Sequence, residues 1–205
     1  MNTILFDLDY DTATHEVRDG KSIVVFKVLT LPAYAIEHSD FSINGLGSNK
    51  EGDAYFINGD EVQCEENDVA ADDSLRLIIY YHGIRDYRLL FPLVASADLV
   101  ARLASFYEEA EKNFDTGAWL SYALMCGAIY EGLLFDKLAA NETFAVLTRN
   151  ALAGGLIDAA SANIMNKARN FRNLVHANRF HEVYVSRADA MDMRTTVDKL
   201  IKKFS

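Results

Sequence analysis

Apolar and polar positions change period once along this chain, near residue 95. Before that point the pattern is that of strands. Residues 2–9 partly alternate apolar and polar, and Asp9 to Thr14 followed by His-Glu-Val reads as a turn into a second short strand. Lys21 to Leu31 is rich in β-branched residues and stops at Pro32, as a strand does. Tyr34 to Ile43 is extended, and Asn44 to Asp53 has the glycine and asparagine content of an exposed loop. Ala54–Ile57 and Glu61–Cys64 flank Asn58-Gly59-Asp60 and predict a hairpin, followed by an acidic loop from Glu65 to Asp73. Leu75–Tyr81 and Tyr87–Leu93, separated by HGIRD, predict a final hairpin. The first part is expected to be a small sandwich or half-open barrel.

After Pro92 and Ser96 the period becomes helical. Ser96 is placed to cap a helix reaching about Asn113, with Leu99, Leu103, Phe106 and Ala110 on one face. Asp115 or Thr116 would cap the next, about Ala118 to Ala140, whose circumference is nearly all apolar apart from Tyr130 and Glu131. Asn141 opens a shorter helix that ends near Gly154-Gly155, with Phe144, Leu147 and Leu152 as core. A fourth runs from about Asp158 to Ala177. Ser186 and Asp189 form a capping-box pair for a fifth, Arg187 to Phe204, with Met191, Val197, Leu200, Ile201 and Phe204 facing inward. The expected fold is α+β: a mainly-β domain over 1–95, then an antiparallel helical bundle over 96–205.

Composition narrows the function. Cys64 and Cys126 are the only cysteines and match no ligand spacing, which points to a reducing, cytoplasmic compartment without a disulfide framework. The first residues lack the basic and apolar regions of a signal peptide. Ala118 to Leu134 is short for a bilayer span and contains Glu131, so no membrane association is expected. The net charge of −10 lies entirely before Ser96, where 17 acidic residues face 7 basic ones. Lys167 to Ser205 has nine basic residues against four acidic. A polyanion would be repelled by the first part and tolerated only near the last two helices.

Few motifs carry chemistry. The lone Gly45-x-Gly47 fits no phosphate-loop spacing, the acidic loop lacks EF-hand order, and His15, His38 and His82 lie on separate segments. No metal or cofactor is therefore expected. Lys167 to Arg179, KARNFRNLVHANR, is different. At about 100° per residue in a continuous helix, Arg169, Arg172, Asn173 and His176 would share a sector roughly 100° wide. Ile164, Ala168, Phe171 and Val175 would form the adjoining core stripe. Glu131 sits either at the bundle edge or in an ion pair with these arginines.

Three passages, ALMCGAIYEGLLFDKL, GGLIDAASANIMNKARNF and RNFRNLVHAN, make the C-terminal half resemble the HEPN superfamily, helical bundles found in many prokaryotic toxin–antitoxin and phage-defence systems. The family signature is an arginine, usually followed by Asn, Asp or His, with a histidine after four to six intervening residues. Arg169, Asn170 and His176 fit it. Arg172 lies too close to His176 to serve as the signature arginine, and the position two after the histidine, a tyrosine in some toxin members, is Asn178.

The resemblance implies a metal-independent endoribonuclease that acts as a homodimer, with two motif helices facing across a cleft. In that reading Arg169 and His176 are catalytic, and Asn170, Arg172 and Asn173 bind the RNA substrate. A regulatory protein partner would fit a toxin or defence effector. The alternative is a catalytically inactive HEPN-like dimerisation module whose β domain binds a protein or small ligand.

Overall fold

A computed structural model describes residues 1–52 and 54–204, apart from the side chains of 46–50. Two units result, Met1–Pro92 and Leu93–Phe204. The chain is α+β: eight strands in two antiparallel sheets, then five α-helices among the described residues.

The first sheet has the order β1-β8-β4-β5, formed by Asn2–Leu8, Leu75–Ile84, Tyr34–Ile43 and Leu46–Lys50. Alternation decides which face is buried. Ile4, Phe6 and Leu8 pair with Ile79, Leu77 and Leu75, and all six side chains are buried. The second sheet has the order β2-β3-β7-β6, from Thr14–Arg18, Lys21–Lys27, Glu61–Glu65 and Tyr55–Asn58. Tyr55 joins the two sheets. Its ring centroid lies 5.3 Å from that of Phe41, and its hydroxyl is 2.7 Å from Ser39 Oγ. Burial pushes this phenol up to about 12, so it stays a neutral hydrogen-bonding group.

Three sequence expectations fail here. The strand expected over Lys21 to Leu31 ends at Lys27, and Leu31–Ala33 is a 3₁₀ turn with Pro32 in its first residues. Tyr87–Leu93 is not a strand: Tyr87–Leu90 is a 3₁₀ turn, opened by Asp86 accepting from the backbone N–H of Arg88 at 2.9 Å. Both edges of β8 are already paired, to β1 and β4, so it has no edge left for a hairpin partner. Leu46–Lys50, expected in a loop, is β5. Asn44 and Gly45 both have positive φ, 54° and 69°, and Ile43 pairs with Leu46 across this two-residue turn. Asp53, at the end of that expected loop, and Ser205 lie outside the described residues.

The helical unit is arranged around α2, Trp119–Leu138, which packs against each of α1 (Ala97–Asp115), α3 (Phe144–Ala153), α4 (Ala159–Phe171) and α5 (Arg187–Phe204). Ile129, Leu133 and Leu134 are almost fully buried, each worth roughly 1.5–3 kcal/mol. Tyr130 is also buried, because its hydroxyl donates to the Met193 carbonyl at 2.8 Å. No helix among the described residues is long and apolar enough to cross a membrane.

The caps follow the sequence in part; α3 begins at Phe144 after Thr143, not at Asn141. Ser96 Oγ accepts from Leu99 N–H at 3.3 Å, and Ser186 with Asp189 closes the capping box of α5. Neither Asp115 nor Thr116 caps α2; Thr116 instead donates its hydroxyl to the Lys112 carbonyl at 3.0 Å, at the end of α1. Leu152 and Met191, expected in the core, are 42% and 45% exposed, while Ala151 and Met193 are buried. Phe106 is only half-buried, and Tyr107 holds the inward position.

Two glycines of α2 test the packing. A Cβ on Gly127 would sit 4.0 Å from the Ala168 methyl of α4, an ordinary contact, whereas one on Gly132 would lie 2.7 Å from Leu103 Cδ2, on a fully buried side chain of α1. Gly127→Ala is expected to raise stability by up to about 1 kcal/mol through helix propensity. Gly132→Ala is expected to lower it by about 1–2 kcal/mol, overpacking exceeding the same gain. Urea unfolding reads both; a Gly132→Ala protein as stable as wild type would mean that α1 and α2 do not approach this closely.

Candidate functional site

Helix α4 carries the motif, and its N-terminus is held twice. The Asp158 carboxylate accepts from Ser161 N–H at 2.8 Å and pairs with Lys199 of α5 at 2.5 Å. Those bonds, Lys199 first, hold its pKa well below the usual carboxylate range. Ser161, Ala162, Met165, Ala168 and Phe171 form the buried face, Ala168 meeting α2 at Gly127. Near the other end Lys167 forms an ion pair with Asp189 of α5. Burial pulls the Asp189 pKa upward, but the bonds from Lys167 and Ser186 outweigh it and leave a net lowering.

The α-helix ends at Phe171, not near Ala177. Arg172–Val175 tightens into a 3₁₀ turn, His176 is extended at φ −86°, ψ 118°, and Ala177–Arg179 forms a second 3₁₀ turn. Between Arg172 and Tyr184 no side chain is fully buried to reward further helix: Leu174 is half-buried, and Val175, expected in the core stripe, is 54% exposed. Ile164, also expected there, is half-buried. The single helical sector expected for Arg169, Arg172, Asn173 and His176 therefore does not exist as such.

The residues nevertheless converge. Arg169, Asn170, Arg172, Asn173 and His176 line one open concavity of about 620 Å³, with Val175 and, from α2, Leu124. All five polar residues singled out in the sequence are on its wall; Leu124 is a lining residue that no local signal marked. Among the described residues, the side chains of Arg169, Arg172 and His176 make no hydrogen bond or ion pair. Several cations nearby in sequence are committed, Lys167 to Asp189, Arg179 to Glu182, Arg194 to Glu111 and Lys199 to Asp158, while Arg187, like the motif arginines, has no ion pair among the described residues. Glu131 is half-buried on α2 and makes no ion pair with the motif arginines. The negative end of α4 favours cations at Arg169 and Arg172, by typically 0.3–1 kcal/mol each. That accounts for their position but leaves their guanidinium donors unused, in the planar geometry that grips phosphate or carboxylate. Beside them is an imidazole, the side chain suited to proton exchange near neutrality.

A second polar cluster joins α1 to α5 and escaped sequence reading because its partners lie 83 and 91 residues apart. Arg194 meets Glu111 at 3.1 Å and stacks 4.7 Å from the Phe114 ring centroid, and Tyr107 donates to Asp198 at 3.1 Å. Burial pushes both carboxyls up, against the opposing pull of Arg194. In the β unit His15 meets Glu66 and His82 meets Glu37, each at 3.2 Å, while His38 stacks on Tyr80. No three His, Cys, Asp or Glu side chains converge as a metal site among the described residues.

Searches against protein-family models, curated proteins and solved structures find no match to this chain.

The cap of α4 gives a pH prediction. A carboxylate with a lowered folded pKa contributes stability that is present above the unfolded value, about 3.9, and lost as pH falls through the folded one. Asp158→Asn is expected to lower Tm at pH 7, with the difference from wild type narrowing below about pH 4. Thermal unfolding followed by circular dichroism checks it; a gap independent of pH would mean that the cap owes nothing to the charge.

Proposed function

We propose that the concavity at the end of α4 is the phosphate-binding site of a HEPN-like, metal-independent endoribonuclease acting as a homodimer. The observation that supports this most is the pair of uncommitted guanidinium groups, Arg169 and Arg172, beside His176 in one open concavity of an otherwise acidic protein.

The chemistry follows from these groups. The ribose 2′-oxygen attacks the adjacent phosphorus as the bond from phosphorus to the 5′-oxygen of the next nucleotide breaks. A base takes the proton of the 2′-hydroxyl, and an acid gives one to the departing 5′-oxygen, leaving a 2′,3′-cyclic phosphate and a 5′-hydroxyl. Arg169 grips the nonbridging oxygens and opposes the charge that builds on them in the transition state, and Arg172 adds a second cation. Asn170 and Asn173 offer amide donors to the same phosphate. One imidazole cannot be acid and base in the same step, so the second is His176 of another copy.

A second reading has an observation of its own. No side chain fixes the His176 ring among the described residues, whereas catalytic imidazoles are commonly held by a partner. On that reading the concavity binds phosphate without cleaving, in an interaction module whose β unit takes a protein or small ligand.

Cleavage of a mixed RNA pool in EDTA separates the two. Wild type is expected to leave cyclic-phosphate ends, with His176→Ala slower by about 10²–10⁴-fold and Arg169→Ala similarly impaired. RNA binding that depends on Arg169 without any cleavage would select the second reading. Cleavage at the same rate by wild type and both variants would remove the site from the chemistry.

A further inference from the structure

The segment between His176 and α5 combines a fixed backbone with apolar side chains in water. Arg179 N–H donates to the His176 carbonyl and Glu182 N–H to the Arg179 carbonyl, both at 2.9 Å, and an Arg179–Glu182 ion pair clasps the same turn. Phe180, at φ −57° and ψ −18°, occupies the second position of that four-residue turn, the helical backbone of a type I turn. Val185 is buried and the Ser186–Asp189 box follows at once, so the segment is tied at both ends. Yet Phe180 is 88% exposed, Val183 88% and Tyr184 61%. Three large apolar side chains this exposed within five residues mark a contact surface, since scattered exposure is ordinary but clustering is not.

The contact has to satisfy the neighbouring charges too. Four residues of chain keep the Phe180 Cα within about 14 Å of the His176 Cα, and so close to the concavity with its uncommitted arginines. In the homodimer proposed above a second copy brings the same cations towards Arg169 and Arg172, so the copies alone leave this charge unneutralised and the site still calls for an anion. A single strand of nucleic acid brings the complement of both features, anionic phosphates alternating with flat apolar bases, and exposed aromatic side chains are what such bases stack on.

We propose that Phe180 and Tyr184 are a stacking platform for unpaired bases flanking the phosphate held at Arg169 and Arg172, which makes single-stranded RNA the ligand and excludes duplex. This rests on the ribonuclease reading above and adds its specificity residues. In a duplex the base faces are already stacked on one another and cannot reach the platform.

The test uses the full chain and a fluorescein-labelled 2′-O-methyl oligonucleotide, which cannot be cleaved, single-stranded or annealed to its complement. Wild type is expected to bind the single strand at least tenfold more tightly than the duplex. Phe180→Ala and Tyr184→Ala are each expected to weaken single-strand binding roughly tenfold while leaving duplex binding unchanged, and Phe180→Trp to restore it. Both side chains are exposed, so unchanged Tm values check that the fold is intact. If Arg169→Ala abolishes binding while the aromatic variants bind like wild type, the platform is overturned and the phosphate site stands. If wild type binds neither strand form, both fall. If the aromatic variants bind normally but sediment as smaller species, the segment is a contact between copies and the platform is again overturned.

Discussion

Helix α2 has no polar face, and covering most of its circumference is the constraint from which the rest of the helical unit follows. Tyr122, Cys126, Ile129 and Leu133 share one face, but Ala123, Gly127 and Leu134, about 120–160° round the axis from Ile129, are buried as well, so no single partner helix covers them. Two glycines of α2 face its partners. Gly132 admits Leu103 of α1, and Gly127 lies opposite Ala168 of α4. The second contact matters for function, because Ala168 immediately precedes Arg169. With its buried face fixed on α2 and both ends tied to α5 through Asp158–Lys199 and Lys167–Asp189, α4 has little freedom to rotate. Its last turn and the tightened chain after it therefore deliver Arg169, Arg172 and His176 to one concavity, floored in part by Leu124 of α2 itself.

The two kinds of arginine in this half of the chain show what a committed and an uncommitted cation look like. Arg194 is enclosed by Glu111, Asp198 and the Phe114 ring, and its charge opposes the upward push that burial gives both carboxyls. It belongs to the architecture. Arg169 and Arg172 stand at the rim of a concavity with no carboxylate, in a protein carrying ten more negative than positive charges. Acidic partners were available in the composition and are used elsewhere. Guanidinium groups left without one, next to an imidazole, supply what an anionic ligand requires.

Much of this was legible because it depends on short-range rules. The inward alternation of Ile4, Phe6 and Leu8, the caps at Ser96 and Ser186, and the Asn58–Glu61 turn need only neighbouring residues to be recognised. Errors arose where a distant contact decided. Tyr87–Leu93 is apolar enough for a strand, but β8 had both edges filled from remote parts of the chain. Asn44-Gly45 was a turn signal hidden in a longer polar run, and β5 after it is held by pairing with β4. The motif stayed together for a reason different from the expected one. Helical periodicity would have aligned Arg169 with His176, yet the α-helix stops at Phe171 and a 3₁₀ turn brings the histidine round. Residue type and spacing marked the site; the backbone path that assembles it was invisible until packing on α2 was known.

The central claim is that Arg169 and Arg172 hold one phosphate beside the His176 imidazole. The most direct test is to titrate isotope-labelled protein with a short 2′-O-methyl oligonucleotide and follow the arginine Nε–H and histidine ring signals by NMR. The account predicts that the signals of Arg169, Arg172 and His176 move together along one saturating curve, while those of Arg194, already committed to Glu111, stay in place. Saturable binding that shifts other arginines and leaves these three unmoved would contradict it.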